Sequence, residues 1–205
     1  MASDNLSGSD RRLLQKDLSI AFTVILIFSL FSAYADWVLL GSWLFVFVYL
    51  LQKRRIKAFL HLLLATLMAS IWVHFAKDYY GYKFDYLTIL GMNTLPLMAW
   101  TLTLLGVGEV CNQLPFRRKI FRFLIFVPVF WILLILFETI AYHILEIRNV
   151  MTSNFVGLPY CDCIHAPVWM QVVYFTMGPV YYGLSHLTDT IWDFAHLKVA
   201  VNKSK

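Results

Sequence analysis

Long apolar runs alternate with short polar breaks along the chain. Within each run the apolar character is continuous rather than alternating every second residue, which predicts helices rather than barrel strands. A bilayer core of about 30 Å is crossed by about 20 helical residues. The apolar stretch 18–51 is too long for one crossing and must turn back. The turn is expected at "AYADW", because Asp36 is the only formal charge in the stretch and a charge in mid-membrane is costly. Crossings are then expected near 18–35, 37–52, 56–76, 86–110, 120–144 and 165–187. The predicted fold class is an all-α membrane protein with six transmembrane helices. Residues 1–17 are expected to form a cytoplasmic N-terminal segment, 18–188 a single transmembrane domain, and 189–205 a cytoplasmic interfacial tail.

Composition sharpens this picture. Of 205 residues 60% are hydrophobic and only 14% charged, against roughly a quarter charged in ordinary globular domains. The net charge of +5 does not point to nucleic acid, because Lys and Arg sit in short clusters between apolar runs. If six helices alternate, one face carries Arg11, Arg12, Lys16, Lys53, Arg54, Arg55, Lys57, Arg117, Arg118, Lys119, Arg122, Lys198, Lys203 and Lys205, which is fourteen of the seventeen basic residues. The other carries Lys77, Lys83 and Arg148. By the positive-inside rule both termini are expected to be cytoplasmic, in a multi-pass protein of an inner or cell membrane. Asp4, Asp10 and Asp17 make the first run read as a retained helix rather than a cleaved signal peptide.

Two helix starts look alike. "LPLMAWTLTLLGVG" from Leu95 and "APVWMQVVYFTMGP" from Ala166 each place a Pro near the head (Pro96, Pro167), an aromatic soon after, and a Gly three turns on (Gly106, Gly178). They suggest two degenerate helix-loop-helix repeats facing a shared cleft, and such repeats often bind ligand at their interface. "YYGYKFDYLTILGMNTLPLMAW" resembles the repeat of the small integral-membrane lycopene cyclases of the heterodimeric and fused type, at Gly81, Phe84, Tyr86, Leu90, Gly91 and Pro96. The resemblance implies the six-helix fold and a long apolar isoprenoid, of carotenoid type, as ligand. It also implies acid-catalysed cyclisation or isomerisation. The paired carboxylates of the family's Pro-x-Glu-Glu motif are absent: Met98 and Ala99 follow Pro96, and Trp169 and Met170 follow Pro167.

Cyclising a polyene needs an acid to protonate an alkene and a dry pocket to hold the cation. The remaining acid deep in an apolar run is Glu138, with Tyr142 four residues on and His143 beside it. His74 is a second polar partner on the third helix. Trp72, Trp100, Trp169, Tyr142 and Asn93 are the expected substrate-binding residues, the tryptophans through cation-π faces. A bland rival for the aromatics is an interfacial belt. In "CDCIHAP", Cys161, Cys163 and His165 are weak metal-ligand candidates, since Cys-x-Cys pinches a chelate ring and two such cysteines rarely reach disulfide geometry together. There Asp162 is the expected cap of the sixth helix. Glu109 is expected to be a salt-bridge partner beside the basic loop.

No nucleotide loop, nucleophile elbow, Cys-x-x-Cys pair or histidine box is present, so no cofactor is expected. The expected partners are the lipid bilayer and an apolar isoprenoid or lipid. A homodimer is a further candidate state, although no small-xxx-small face marks an interface. Two rival functions stand beside a cyclase-like enzyme: a non-enzymatic lipid-binding or scaffold subunit, and a small transporter.

Overall fold

The computed structural model describes residues 8–30, 32–82, 85–115 and 118–203. Among them are six α-helices: α1 (Gly8–Leu30), α2 (Ala35–Gln52), α3 (Ile56–Ala76), α4 (Thr94–Asn112), α5 (Lys119–His143) and α6 (Val168–Lys203). A two-residue hairpin, β1 (Thr88–Ile89) and β2 (Met92–Asn93), precedes α4. Four helices, α2 to α5, are long and apolar enough to cross a membrane. The outward faces are apolar too, with Phe22, Phe75, Leu124 and Ile132 all exposed. Water would penalise such a surface, and lipid tails solvate it. The chain therefore has the character of a membrane protein.

α4 is the hub, packing against each of the other five helices. Its apolar window is 61% buried, whereas that of α5 is 17% buried. Small residues let its neighbours approach: Ala65, Ala69 and Ala76 line the buried face of α3, the helix most extensively packed on α4. In lipid such close backbone approach replaces hydrophobic burial as the source of helix association. Phe126 and Phe130 of α5 stack with each other, and Phe126 also stacks on Tyr182 of α6; all three rings are fully buried. Gly178 lies under the ring of Phe130, where any side chain would collide. Gly106 faces open space, so the two glycines that match in sequence do different work.

Several boundaries differ from the sequence expectation: α1 runs from Gly8 to Leu30 rather than over 18–35, and α6 continues to Lys203 rather than ending near 187. The turn near Asp36 is present, as a short 3-10 turn at Ser32–Tyr34. Asp36, however, is 3% exposed in the first turn of α2, where its carboxylate accepts the Leu87 backbone N–H at 2.8 Å. The fourth helix begins at Thr94 and not near 86, because Leu90 (φ 52°) and Gly91 (φ +74°) reverse the chain and form the hairpin. Asn93 then caps α4, its side chain accepting the Leu95 N–H at 3.0 Å. Phe84 and Lys83 lie outside the described residues, as do residues 1–7 of the N-terminal segment, Arg117 and Lys205.

Candidate functional site

Two polar centres occupy opposite ends of the bundle. At the end where the hairpin lies, three tryptophans and several tyrosines converge. The Tyr80 hydroxyl accepts from the Trp72 indole N–H at 2.9 Å and from that of Trp100 at 3.4 Å. It also pairs with the Tyr174 hydroxyl at 3.0 Å. Trp72 meets Trp169 and Tyr174 edge-on, each with centroids 5.8 Å apart, and Trp100 meets Tyr174 at 5.0 Å. Tyr79 and Tyr82 extend the cluster. Four segments contribute: α3, α4, α6 and the loop after α3.

Glu138 of α5 lies within electrostatic reach of Tyr80, Tyr82 and Tyr174. Among the described residues no hydrogen bond to its carboxyl is formed. Burial pushes the Tyr80 phenol up to about 12, and the nearby Glu138 charge adds to the shift while the bonds from Tyr174, Trp100 and Trp72 oppose it. The Tyr80 phenol therefore stays protonated at neutral pH. The cluster offers a carboxyl, phenol dipoles and aromatic faces in one desolvated place.

Of the predicted site residues, Trp72, Trp100, Trp169 and Glu138 are thus brought together. The others are elsewhere. His74 is exposed, its ring edge-on to Phe75. Asn93 is the helix cap already described. His143 is exposed and its Nε2 lies 2.9 Å from the Cys161 carbonyl, fastening the loop between α5 and α6 to α5. Tyr142 stacks on His165 with centroids 4.7 Å apart and lies under the Arg148 guanidinium. In "CDCIH" the expectation that Cys161 and Cys163 do not pair is corrected. Cys161 and Cys163 are joined as a disulfide, which removes both thiolates, and His165 bonds the Phe155 and Asp162 carbonyls. Left-handed backbone at Tyr160, Asp162 and Ile164 coils the segment tightly enough to place the two Cα atoms 5.1 Å apart. Asp162 is not a cap for α6, which starts six residues later; it faces His165 at 3.3 Å.

The second centre lies at the opposite end, and its key member, His61, escaped the sequence reading. His61, 3% exposed, stands between two acids, with Nδ1 2.8 Å from Glu109 and Nε2 3.2 Å from Asp189, the latter off the line of a hydrogen bond. Glu109 also takes Arg55 at 3.0 Å, and Arg55 grips Asp17 with both nitrogens at 2.9 and 3.2 Å. Gln113 donates to the same Asp17 at 2.5 Å. The expected salt-bridge role of Glu109 is met, with Arg55 rather than the "RRK" loop. Lys57 pairs with Asp193 at 2.7 Å. The signal was available: Lys57 and His61 are one turn apart on α3, and Asp189 and Asp193 are one turn apart on α6, a matched ladder for antiparallel helices.

Burial alone would raise the Asp189 carboxyl. The close approach and charge of His61, with Lys57 and His186 behind them, outweigh it and hold Asp189 below its ordinary value. A lowered folded-state value means stability that is fully present above the unfolded value, about 3.9 for aspartate, and lost as pH falls through the lower folded one. Wild type is therefore expected to melt higher than Asp189→Asn at neutral pH, and the gap should close as pH drops below that window. Equal melting temperatures at neutral pH would show that the pair contributes nothing. No family profile, curated protein or solved structure matches the chain, so its own geometry carries the functional reading.

Proposed function

We propose that this chain is a six-span membrane protein, with both termini cytoplasmic, that holds a long apolar isoprenoid of carotenoid type against the aromatic cluster and isomerises or cyclises it. The observation that supports this most is the convergence of Trp72, Trp100 and Trp169 on the Tyr80–Tyr174 pair, with Glu138 facing it. The apolar outer surface gives such a ligand access from the bilayer. The gathering of Arg55, Lys57, Lys119 and Arg122 at the opposite end supports the cytoplasmic assignment of that end.

In the proposed chemistry the Glu138 carboxyl adds its proton to one alkene carbon. The positive charge on the neighbouring carbon is held by the tryptophan faces and by the phenol oxygens of Tyr80 and Tyr174. Loss of a proton from an adjacent carbon to the Glu138 carboxylate restores the double bond and the acid, so no redox partner is required. Exclusion of water prevents capture of the cation.

One observation favours a second reading, a lipid-holding subunit without chemistry. The position where the resembled family carries its acid pair is a packed wall here: Met98 is 6% exposed and Ala99 is partly buried against the core. Expression in cells that accumulate an acyclic polyene separates the two. An enzyme changes the pigment, and Glu138→Gln abolishes the change at equal protein level while polyene still co-purifies. A holder retains polyene unchanged in both forms. The absence of both conversion and co-purification would overturn the proposal.

A further inference from the structure

The cleft at the inner end, about 340 Å³ in volume, lies between α3, α4, α5 and α6. Its lining looks evenly charged, but the acids are committed. Glu109 is taken by Arg55 and His61, Asp189 by His61, and Asp193 by Lys57. The opposite wall is basic. Lys119 is the first residue of α5 and Arg122 follows one turn later, so both flank a helix N-terminus whose backbone N–H groups favour an anion. His186 of α6 feels the charge of both Lys119 and Arg122, and its buried Nε2 has no hydrogen-bond partner among the described residues. Buried polar atoms are normally satisfied. A cation is a poor occupant, since no group of three His, Cys, Asp or Glu among the described residues is set to hold a metal ion.

We infer that this cleft binds a phosphate group, held by Lys119, Arg122 and His186 at the N-terminus of α5. A phosphate offers several acceptor oxygens and up to two negative charges, which match two point cations, an imidazole N–H and helix amides. Two sources share this chemistry, the headgroup of an anionic lipid and free inorganic phosphate. The site is independent of the isoprenoid reading, because the aromatic cluster lies at the other end of the bundle.

The test uses the full chain in discs of neutral phosphatidylcholine. Inorganic phosphate and pyrophosphate are titrated into one set, and a second set contains phosphatidic acid, with thermal stability and calorimetric binding as readouts. Saturable stabilisation by the soluble anions identifies free phosphate as ligand, and stabilisation only in the phosphatidic acid discs identifies a lipid headgroup. Lys119→Gln and Arg122→Gln should each weaken binding by about tenfold, the loss of one charge-assisted hydrogen bond. Asp193→Asn releases Lys57 to the cleft and should tighten binding severalfold. Lys119 and Asp193 are exposed, so these variants should melt like wild type without ligand. Absence of stabilisation by all three phosphates would overturn the inference. So would binding indifferent to Lys119→Gln, or weakened by Asp193→Asn as a cation site requires.

Discussion

Replacing Glu109 with leucine is expected to destabilise the protein by about 3–5 kcal/mol, the usual cost of leaving a partly buried charge without its partner. Arg55 and His61 would both lose an acceptor, and His61, 3% exposed, has little water to turn to. Arg55 keeps Asp17, so the larger part of the loss should come from the imidazole. Glu109→Gln retains one accepting oxygen and should recover a sizeable fraction. Arg55→Met combined with Glu109→Leu should cost less than the two single changes added, since each single change strands a charge that the double change removes. Melting of the four forms in one detergent or disc preparation checks this. Strict additivity would show that the groups do not act as a network.

Trp72→Ala is expected to be comparably severe, about 3 kcal/mol or more, the range for removing a large buried aromatic. The indole, 6% exposed, touches Trp169, Tyr80 and Tyr174, which belong to α6 and to the loop after α3. In lipid the loss falls on packing contacts, because the membrane solvates the exposed apolar surface. Trp72→Phe keeps much of the packing and removes only the N–H donated to Tyr80, so about 1 kcal/mol should be lost. The comparison also bears on function. The phenylalanine form should still retain polyene, whereas the alanine form should release it, and equal retention by both would remove Trp72 from the proposed binding face.

The helices were legible because lipid enforces continuous apolar runs, and α2, α3 and α5 fall within two residues of their expected bounds. The start of α4 was misplaced because Tyr86 to Met92 is as apolar as the helix that follows, and apolar character alone cannot separate a hairpin from a first turn. Only the Leu90–Gly91 reversal marks the difference. Glu138 and the tryptophans stood out as chemically rare in their runs. Tyr80 and Tyr174 did not, because the chain holds eleven tyrosines and nothing in their spacing shows which pair meets. His61 was lost for a similar reason. A single histidine in an apolar helix acquires meaning only from acids 48 and 128 residues away, and pairing at that range is a property of tertiary packing.

On the proposed six-span reading, the 36 residues of α6 also fix a waterline. From Val168 to Asp189 the helix rises about 32 Å, close to the thickness of a hydrocarbon layer. On that reading Asp189 and Asp193, fastened to His61 and Lys57, act as a depth stop, since sinking further would drag ion pairs into oil. The stretch beyond Asp189, roughly 21 Å at the helical rise, would then stand clear of the membrane as a mast.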